Sequence, residues 1–283
     1  MRRHTRASTQ RRKRLGQIFL RDPLVVEGIV ASAQLTPHTT VLEIGPGRGA
    51  LTIALAQQVG GLYAIEIDAA YADDLQRRLV AMPHVHIIQA DARRYDYGQL
   101  PEPLVVVANL PYSMGLAILR HLFVFRTRLS RLIVMLQREV ATRLLAPPGA
   151  SAYSAVSVFF QYYADIHHCL EVSRHAFTPV PAVDSTVLAL VPFTPLPWPS
   201  SDEHFFLQVV KCAFAHRRKT LRANLLAAQH LSLTRASLAD IFTTLHLMEQ
   251  VRPQELHVAQ FVQLAEALHS LLLQSKTASG GEL

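Results

Sequence analysis

The stretch VLEIGPGRGALT, residues 41–52, decides the fold: an apolar run ends in three glycines at alternate positions and passes straight into an apolar helical segment. Gly45, Gly47 and Gly49 let the backbone turn tightly and approach a ligand closely, beside a helix start whose N–H groups lack partners. The spacing is G-x-G-x-G, not the G-x-G-x-x-G of a dinucleotide loop, and Glu43 stands just before it. A bare glycine cluster also suits an ordinary strand-to-helix turn, so the loop alone leaves both readings open.

Outward from this loop, short apolar runs alternate with helix-patterned segments, which predicts an α/β fold around a parallel sheet. Strands are expected at 40–44, 62–67, 85–89, 104–108 and 131–137, and helices at 51–58 and 70–82, the latter with Tyr71, Leu75 and Leu79 on one face. After Pro147, Pro148 and Gly149 come a helical segment, 152–163, and two strand-like runs, 166–172 and 185–191, read as a hairpin-like pair closing the sheet. Pro192, Pro195, Pro197 and Pro199 surround the single tryptophan, Trp198, in a segment too proline-rich for a helix or central strand. The domain boundary is expected there, giving 1–194 and 195–283. Beyond it the chain reads as helices, with Phe206, Val210 and Phe214 as an apolar stripe and Lys211, Arg218 and Arg222 sharing another face.

At 283 residues, half of them hydrophobic, the chain can bury a core without disulfides or a structural metal. Its two cysteines, Cys169 and Cys212, are too far apart for a zinc-ligand spacing and fit a reducing compartment. The longest uncharged run, 144–164, contains two prolines and a glycine, which excludes it as a membrane span. A net charge of +7 points to a polyanionic partner. The basic run within 1–14 reads as a disordered tail or a transit peptide, whereas HRRKTLR, 216–222, lies in the helical region.

Glu66 closes the second strand, where a carboxylate accepts both hydroxyls of a ribose, and Asp91 follows the third, within reach of an adenine edge. With Glu43, three carboxylates thus stand at the carboxyl ends of successive strands. Such a site favours a cationic adenosine derivative, S-adenosylmethionine, over anionic NAD, although Glu66 alone suits either.

LVVVANLPYSMG, 104–115, ends a buried strand on an amide, a proline and an aromatic ring. An amino group on an aromatic base is a poor nucleophile because its lone pair is delocalised. Acceptors aimed at its N–H groups favour the more tetrahedral shape it takes as it attacks. The Asn109 side chain and the Leu110 carbonyl are two such acceptors; Pro111 fixes the turn without donating an N–H, and Tyr112 offers a stacking face. Phe177, in HAFTPVPAVDS, either covers the other face of a flipped-out base or anchors a proline loop in the core.

The motifs EIGPGRG, NLPY, MLQREVATRL, SAYSAVSVFFQYY, FTPVPAVDS and AFAHRRKTLRANL, in this order, resemble those of the bacterial small-subunit ribosomal RNA adenine dimethyltransferases. The likeness runs from RLGQIFL at 14–20 nearly to the end. It implies a class I methyltransferase fold, a Rossmann-like seven-stranded sheet followed by a small all-helical C-terminal domain. It implies S-adenosylmethionine as methyl donor and two adjacent adenosines in a 3'-terminal hairpin loop of 16S rRNA as target, each dimethylated at N6 during late assembly of the small ribosomal subunit. The catalytic set would be Asn109, Leu110, Pro111, Tyr112 and Phe177. Cofactor contacts would fall to Ile18, Leu20, Gly45, Gly47, Glu66, Asp91 and Asn109, and RNA phosphates to Lys211, Arg217, Arg218, Lys219 and Arg222. A cytoplasmic monomer without metal or membrane attachment is expected. Competing expectations are a large-subunit dimethyltransferase, a mitochondrial relative and a largely non-catalytic assembly checkpoint.

One position departs from the family pattern: where Asn or His is usual in GQNFL or GQHFL, this chain has Ile18. Ile18→Asn is therefore expected to tighten S-adenosylmethionine binding about fivefold, the worth of one hydrogen bond of ~1 kcal/mol. Calorimetric titration of both proteins checks this; equal dissociation constants would refute it.

Overall fold

The structure, a computed structural model, describes residues 18–279, with side chains to residue 274. The basic run within 1–14 lies outside the described residues. Two compact units emerge: the chain up to Ala141 with Ala164–Thr194, and Thr142–Tyr163 with the chain from Pro195 onward.

In the first unit the elements are β1 (Phe19–Leu20), α1 (Pro23–Ala33), β2 (Thr40–Ile44), α2 (Ala50–Ala56), β3 (Gly61–Glu66), α3 (Ala69–Arg78), β4 (Val85–Gln89), β5 (Leu104–Asn109), α4 (Gly115–Val124) and β6 (Leu129–Gln137). After α5 (Arg138–Leu145), within which the two units divide, and α6 (Ala155–Tyr163) of the second unit, β7 (Ala164–Val172), β8 (Phe177–Thr178) and β9 (Ser185–Pro192) complete it. The main sheet has seven strands in the order β4-β3-β2-β5-β6-β9-β7. β2 to β6 are mutually parallel, and β9 lies antiparallel between β6 and β7. The antiparallel pair is thus inserted with its second member innermost. The short pair β1–β8 forms a separate two-stranded ribbon, with Leu20 opposite Phe177, and was not foreseen from sequence.

Parallel strands covered on both faces read as unbroken apolar runs, which is why β5 and β6 carry no alternation. Val41, Leu62, Val107, Ile133 and Val187 of the sheet pack with Ile29, Leu51 and Leu55 of α1 and α2 in one buried cluster. Asp22 and Asp68 cap α1 and α3, each side chain accepting the N–H two residues on. Gly49, at φ +83°, starts α2; a Cβ there would stand 2.5 Å from Leu75, so both conformation and packing demand glycine.

The second unit is helical: α6, then α7 (Glu203–Ala213), α8 (Leu221–Ala227), α9 (Arg235–Thr244) and α10 (Val258–Ser279). Two sequence expectations change here. Residues 142–163, expected in the first domain, belong to this unit. The Gln161 amide donates to the Leu144 and Ala146 carbonyls at 2.8 Å, the Tyr162 ring lies 4.4 Å from that of Phe206, and the Tyr163 hydroxyl donates to Glu203 at 2.9 Å. Moreover, Lys211, Arg218 and Arg222 do not share a helix face, because the helix stops at Ala213 and restarts at Leu221. Buried Asn224 donates to the carbonyls of Ala213 and His216, at 2.6 and 3.1 Å, and Thr220 caps the new helix. These bonds stabilise a break that residue spacing cannot reveal.

Candidate active site

A cleft opens at the carboxyl ends of β2, β3, β4 and β5, walled by the glycine loop, by β1 and by residues 109–112. This is the edge at which open α/β sheets bind ligands. Gly45 and Gly47 hold φ of +69° and +54°. A Cβ on Gly45 would meet nothing within 4 Å, so the loop presents bare backbone to the cleft. On Gly47 it would press to 3.2 Å on the ring of Phe19, which lies across the loop. Arg48 stacks 4.4 Å above that ring and Tyr71 meets its edge.

Glu66 is buried, yet both oxygens are bound: Gly47 N–H donates to one and Asp68 N–H to the other, each at 2.9 Å. Each oxygen keeps a lone pair, so the carboxylate accepts two further hydroxyl donors. It also occupies the loop N–H on which a pyrophosphate would sit, and its charge opposes one. Burial raises its pKa, with the Asp68 and Gly47 amides acting against the rise. Glu43 is more extreme. It is fully enclosed, and its Oε2 makes no hydrogen bond among the described residues; burial pushes its carboxyl up to about 8, with the Thr52 hydroxyl acting against the rise and the nearby Glu66 charge adding to it. Two buried carboxyls thus stand side by side, one held by two backbone amides and the other enclosed and neutral.

Asp91 also lines the cleft, and here sequence reasoning missed a partner. Arg93 grips its carboxylate, Nη2 to Oδ2 at 2.5 Å and Nε to Oδ1 at 3.0 Å, and that bond holds Asp91 below its ordinary pKa. At the far wall, Asn109 is half-buried at the end of β5, opposite Met135 of β6. Among the described residues, neither the Asn109 carboxamide nor the Leu110 carbonyl takes part in a hydrogen bond, although Leu110 N–H is held by the Met135 carbonyl at 3.2 Å. Both residues line the cleft. Tyr112 is fixed by a 2.6 Å hydrogen bond between its hydroxyl and that of buried Ser185, at the start of β9. The VDS of the proline motif was the signal for Ser185, but its partner lies 73 residues away.

Phe177 lines the cleft, but it is wholly buried within the core cluster, so of the two readings the structure adds weight to the anchor. Ile18 and Leu20 line the cleft too, with Ile18 packed against the core. In the second unit, Lys211 ends α7 while Arg217, Arg218 and Lys219 are exposed in the turn after it. Arg217 donates to the Ser151 carbonyl, and Arg222, expected on the same face, is turned to Glu249 at 2.5 Å.

Residues 8–269 match the model of a family described as ribosomal RNA adenine dimethylase. The chain belongs to this family. A Ribosomal RNA small subunit methyltransferase A of Shewanella frigidimarina is 38% identical over 91% of this chain and 94% of that protein, and its Vibrio cholerae namesake is 38% identical over 91% and 93%. A Plasmodium falciparum dimethyladenosine transferase shares the fold, with TM-score 0.73 at 23% identity over 92% of this chain and 98% of that one. The 23S rRNA methyltransferase ErmE aligns with TM-score 0.69 at 25% identity, over 89% of this chain and 99% of its own. Membership makes the chain an rRNA adenine methyltransferase and its sheet that of a class I methyltransferase.

Glu43 yields a pH test. Its folded pKa of about 8 exceeds the ordinary 4.5, so the folded protein holds a proton that the unfolded chain releases. Its contribution to stability is complete below the ordinary carboxylate range and is lost as pH rises toward 8. Urea midpoints between pH 5 and 8 are expected to fall more steeply for the wild type than for Glu43→Gln; parallel profiles would contradict a buried neutral acid.

Proposed function

We propose that this protein transfers methyl groups from S-adenosylmethionine to N6 of two adjacent adenosines in a 3'-terminal hairpin loop of 16S rRNA, two per base, on the small ribosomal subunit. The observation that carries this reading is the pair of unused acceptors, the Asn109 carboxamide and the Leu110 carbonyl, beside a glycine loop guarded by carboxylates. The small-subunit assignment follows the 38% identical relatives rather than ErmE, whose likeness is weaker. A ribosomal substrate implies work in the cytoplasm, and we infer that the protein acts there as a monomer; no helix among the described residues is long and apolar enough to cross a membrane.

The residues fit the methyl donor. Bare backbone at Gly45 and Gly47 admits close approach, Glu66 keeps lone pairs for ribose hydroxyls, Asp91 reaches an adenine edge, and Ile18 and Leu20 close the cleft with Asn109. When bound, S-adenosylmethionine supplies an electrophilic methyl whose bonding pair stays on sulfur.

The protein's task is to make the adenine amine a nucleophile. Asn109 Oδ1 and the Leu110 carbonyl accept its two N–H groups and favour the tetrahedral shape in which the lone pair points at the methyl. Pro111 donates nothing that would compete for these acceptors. Tyr112, held by Ser185, stacks on the flipped base, and Phe177 backs the opposite wall. The new N–C bond takes the N6 lone pair, and one N6 proton leaves to water. Lys211, Arg217, Arg218 and Lys219 bind phosphates, with Arg222 joining where its pairing with Glu249 yields.

Unmodified small subunits incubated with labelled cofactor and digested to nucleosides are expected to give dimethyladenosine from 16S rRNA. Asn109→Ala is expected to lower the rate about 10²-fold or more while small-subunit binding persists; label in large-subunit RNA instead would reassign the substrate. Arg218→Glu with Lys219→Glu is expected to weaken subunit binding and reduce its salt slope by about two, leaving cofactor affinity unchanged. An unaltered slope would remove these residues from the RNA interface.

A further inference from the structure

A second, smaller cavity lies beside the cleft, and Leu110 and Tyr112 are the residues that line both. Its other walls include Gly115, Ala117, Leu136 and Val140, so it is mainly apolar, and exposed Ala117 stands at its rim. Its volume of about 100 Å³ compares with the roughly 10–15 Å³ that a group the size of a water molecule requires. Nothing in the single-methyl chemistry uses this space.

The second methylation does. It begins from an amine in which one N–H has become N–CH3. The methyl donates no hydrogen bond and holds an acceptor at a C···O contact of about 3.3 Å or more, so one clamp oxygen must withdraw by more than about 1 Å from its N–H···O position. Close-packed interiors do not yield by that much. Asn109 is the last residue of the β5–β6 ladder, opposite Met135 and one residue past the last pair with β2 at Ala108. Leu110 is tied to Met135 through its N–H, but its carbonyl takes no hydrogen bond among the described residues and the residue borders empty space. Gly115 keeps that space open: a Cβ there would stand 3.4 Å from the Leu110 Cβ and 3.2 Å from Leu136.

We infer that this cavity is the relief space into which the Leu110 side of the clamp retreats, and that it makes the enzyme a dimethylase rather than a monomethylase. The inference rests on the adenine-N6 reading of the cleft and deepens it. In the second transfer the lone pair of N6-methyladenosine forms a new N–C bond, the C–S bond breaks with its pair left on sulfur, and the last N6 proton goes to water. The cavity takes no part in bonding; it lets the methyl-bearing amine reach the attacking position.

The test fills the cavity from its rim, away from the clamp, with Ala117→Phe, and compares Ala117→Ser, which fills nothing. Single-turnover reactions on unmodified small subunits are resolved into monomethyl- and dimethyladenosine. For Ala117→Phe, the first transfer is expected within about twofold of wild type and the second slowed at least tenfold, so that monomethyladenosine accumulates; Ala117→Ser is expected to dimethylate normally. An unchanged ratio of the two products would overturn the inference. Loss of both transfers in a folded variant, judged by its thermal midpoint and cofactor affinity, would do the same, since the space would then serve the first transfer equally. If Ala117→Phe fails to fold, Val140→Met fills the same cavity and is read by the same ratio. Absence of N6 methylation by the wild type would instead refute the parent reading, and it needs no substitution to be seen.

Discussion

The site depends on the way β5 ends. A parallel sheet satisfies its backbone by pairing, and β5 pairs with β2 as far as Ala108 and with β6 as far as Asn109. There Pro111 cannot donate, and among the described residues the Leu110 carbonyl and the Asn109 carboxamide are left as acceptors without donors. In the proposed reading, these two adjacent acceptors, without a partner among the described residues, mark a place that the substrate completes. An adenine amine has the two N–H groups that complete it. The glycine loop, the carboxylates and the aromatic wall are all placed relative to that strand end.

Electrostatics then decide which ligand shares the cleft. Two glutamates this close and this buried cannot both ionise cheaply. The fold resolves the conflict by giving Glu66 two backbone N–H donors and leaving Glu43 enclosed and neutral. The donated amide of Gly47 is thereby withdrawn from any phosphate. In the proposed reading, a loop resembling a nucleotide-binding turn so favours a nucleoside carrying positive charge. Arg93 adds a local counter-charge to Asp91, which keeps that carboxylate ionised at the cleft's rim.

The helical unit follows a different economy. Its core is aromatic, with Tyr162 against Phe206 and Phe214 against Phe261, and its polar ties, such as Glu266 accepting from Ser200 and Ser201, hold the proline-rich entry segment. The basic turn after α7 is exposed because Asn224 satisfies the carbonyls at the helix end from within. Arginines there that pair with protein groups, as Arg217 and Arg222 do, are partly committed, whereas Arg218 and Lys219 carry the freer charge.

What the sequence determined by itself was the parallel sheet, from its unbroken apolar runs, and which groups stand at each strand end, because glycine loops, NLPY and carboxylates are local patterns a few residues long. The resemblance added the family. Tertiary structure alone decided the rest, for one reason: those features are made by residues distant in sequence. The Tyr112–Ser185 bond spans 73 residues, the β1–β8 ribbon joins Leu20 to Phe177, and residues 142–163 change unit through contacts with Glu203 and Phe206. The helix break at 214–220 depends on a buried Asn224 that no periodicity announces, and the neutrality of Glu43 depends on burial. Local pattern states which groups are available; only packing states which of them are left without a partner.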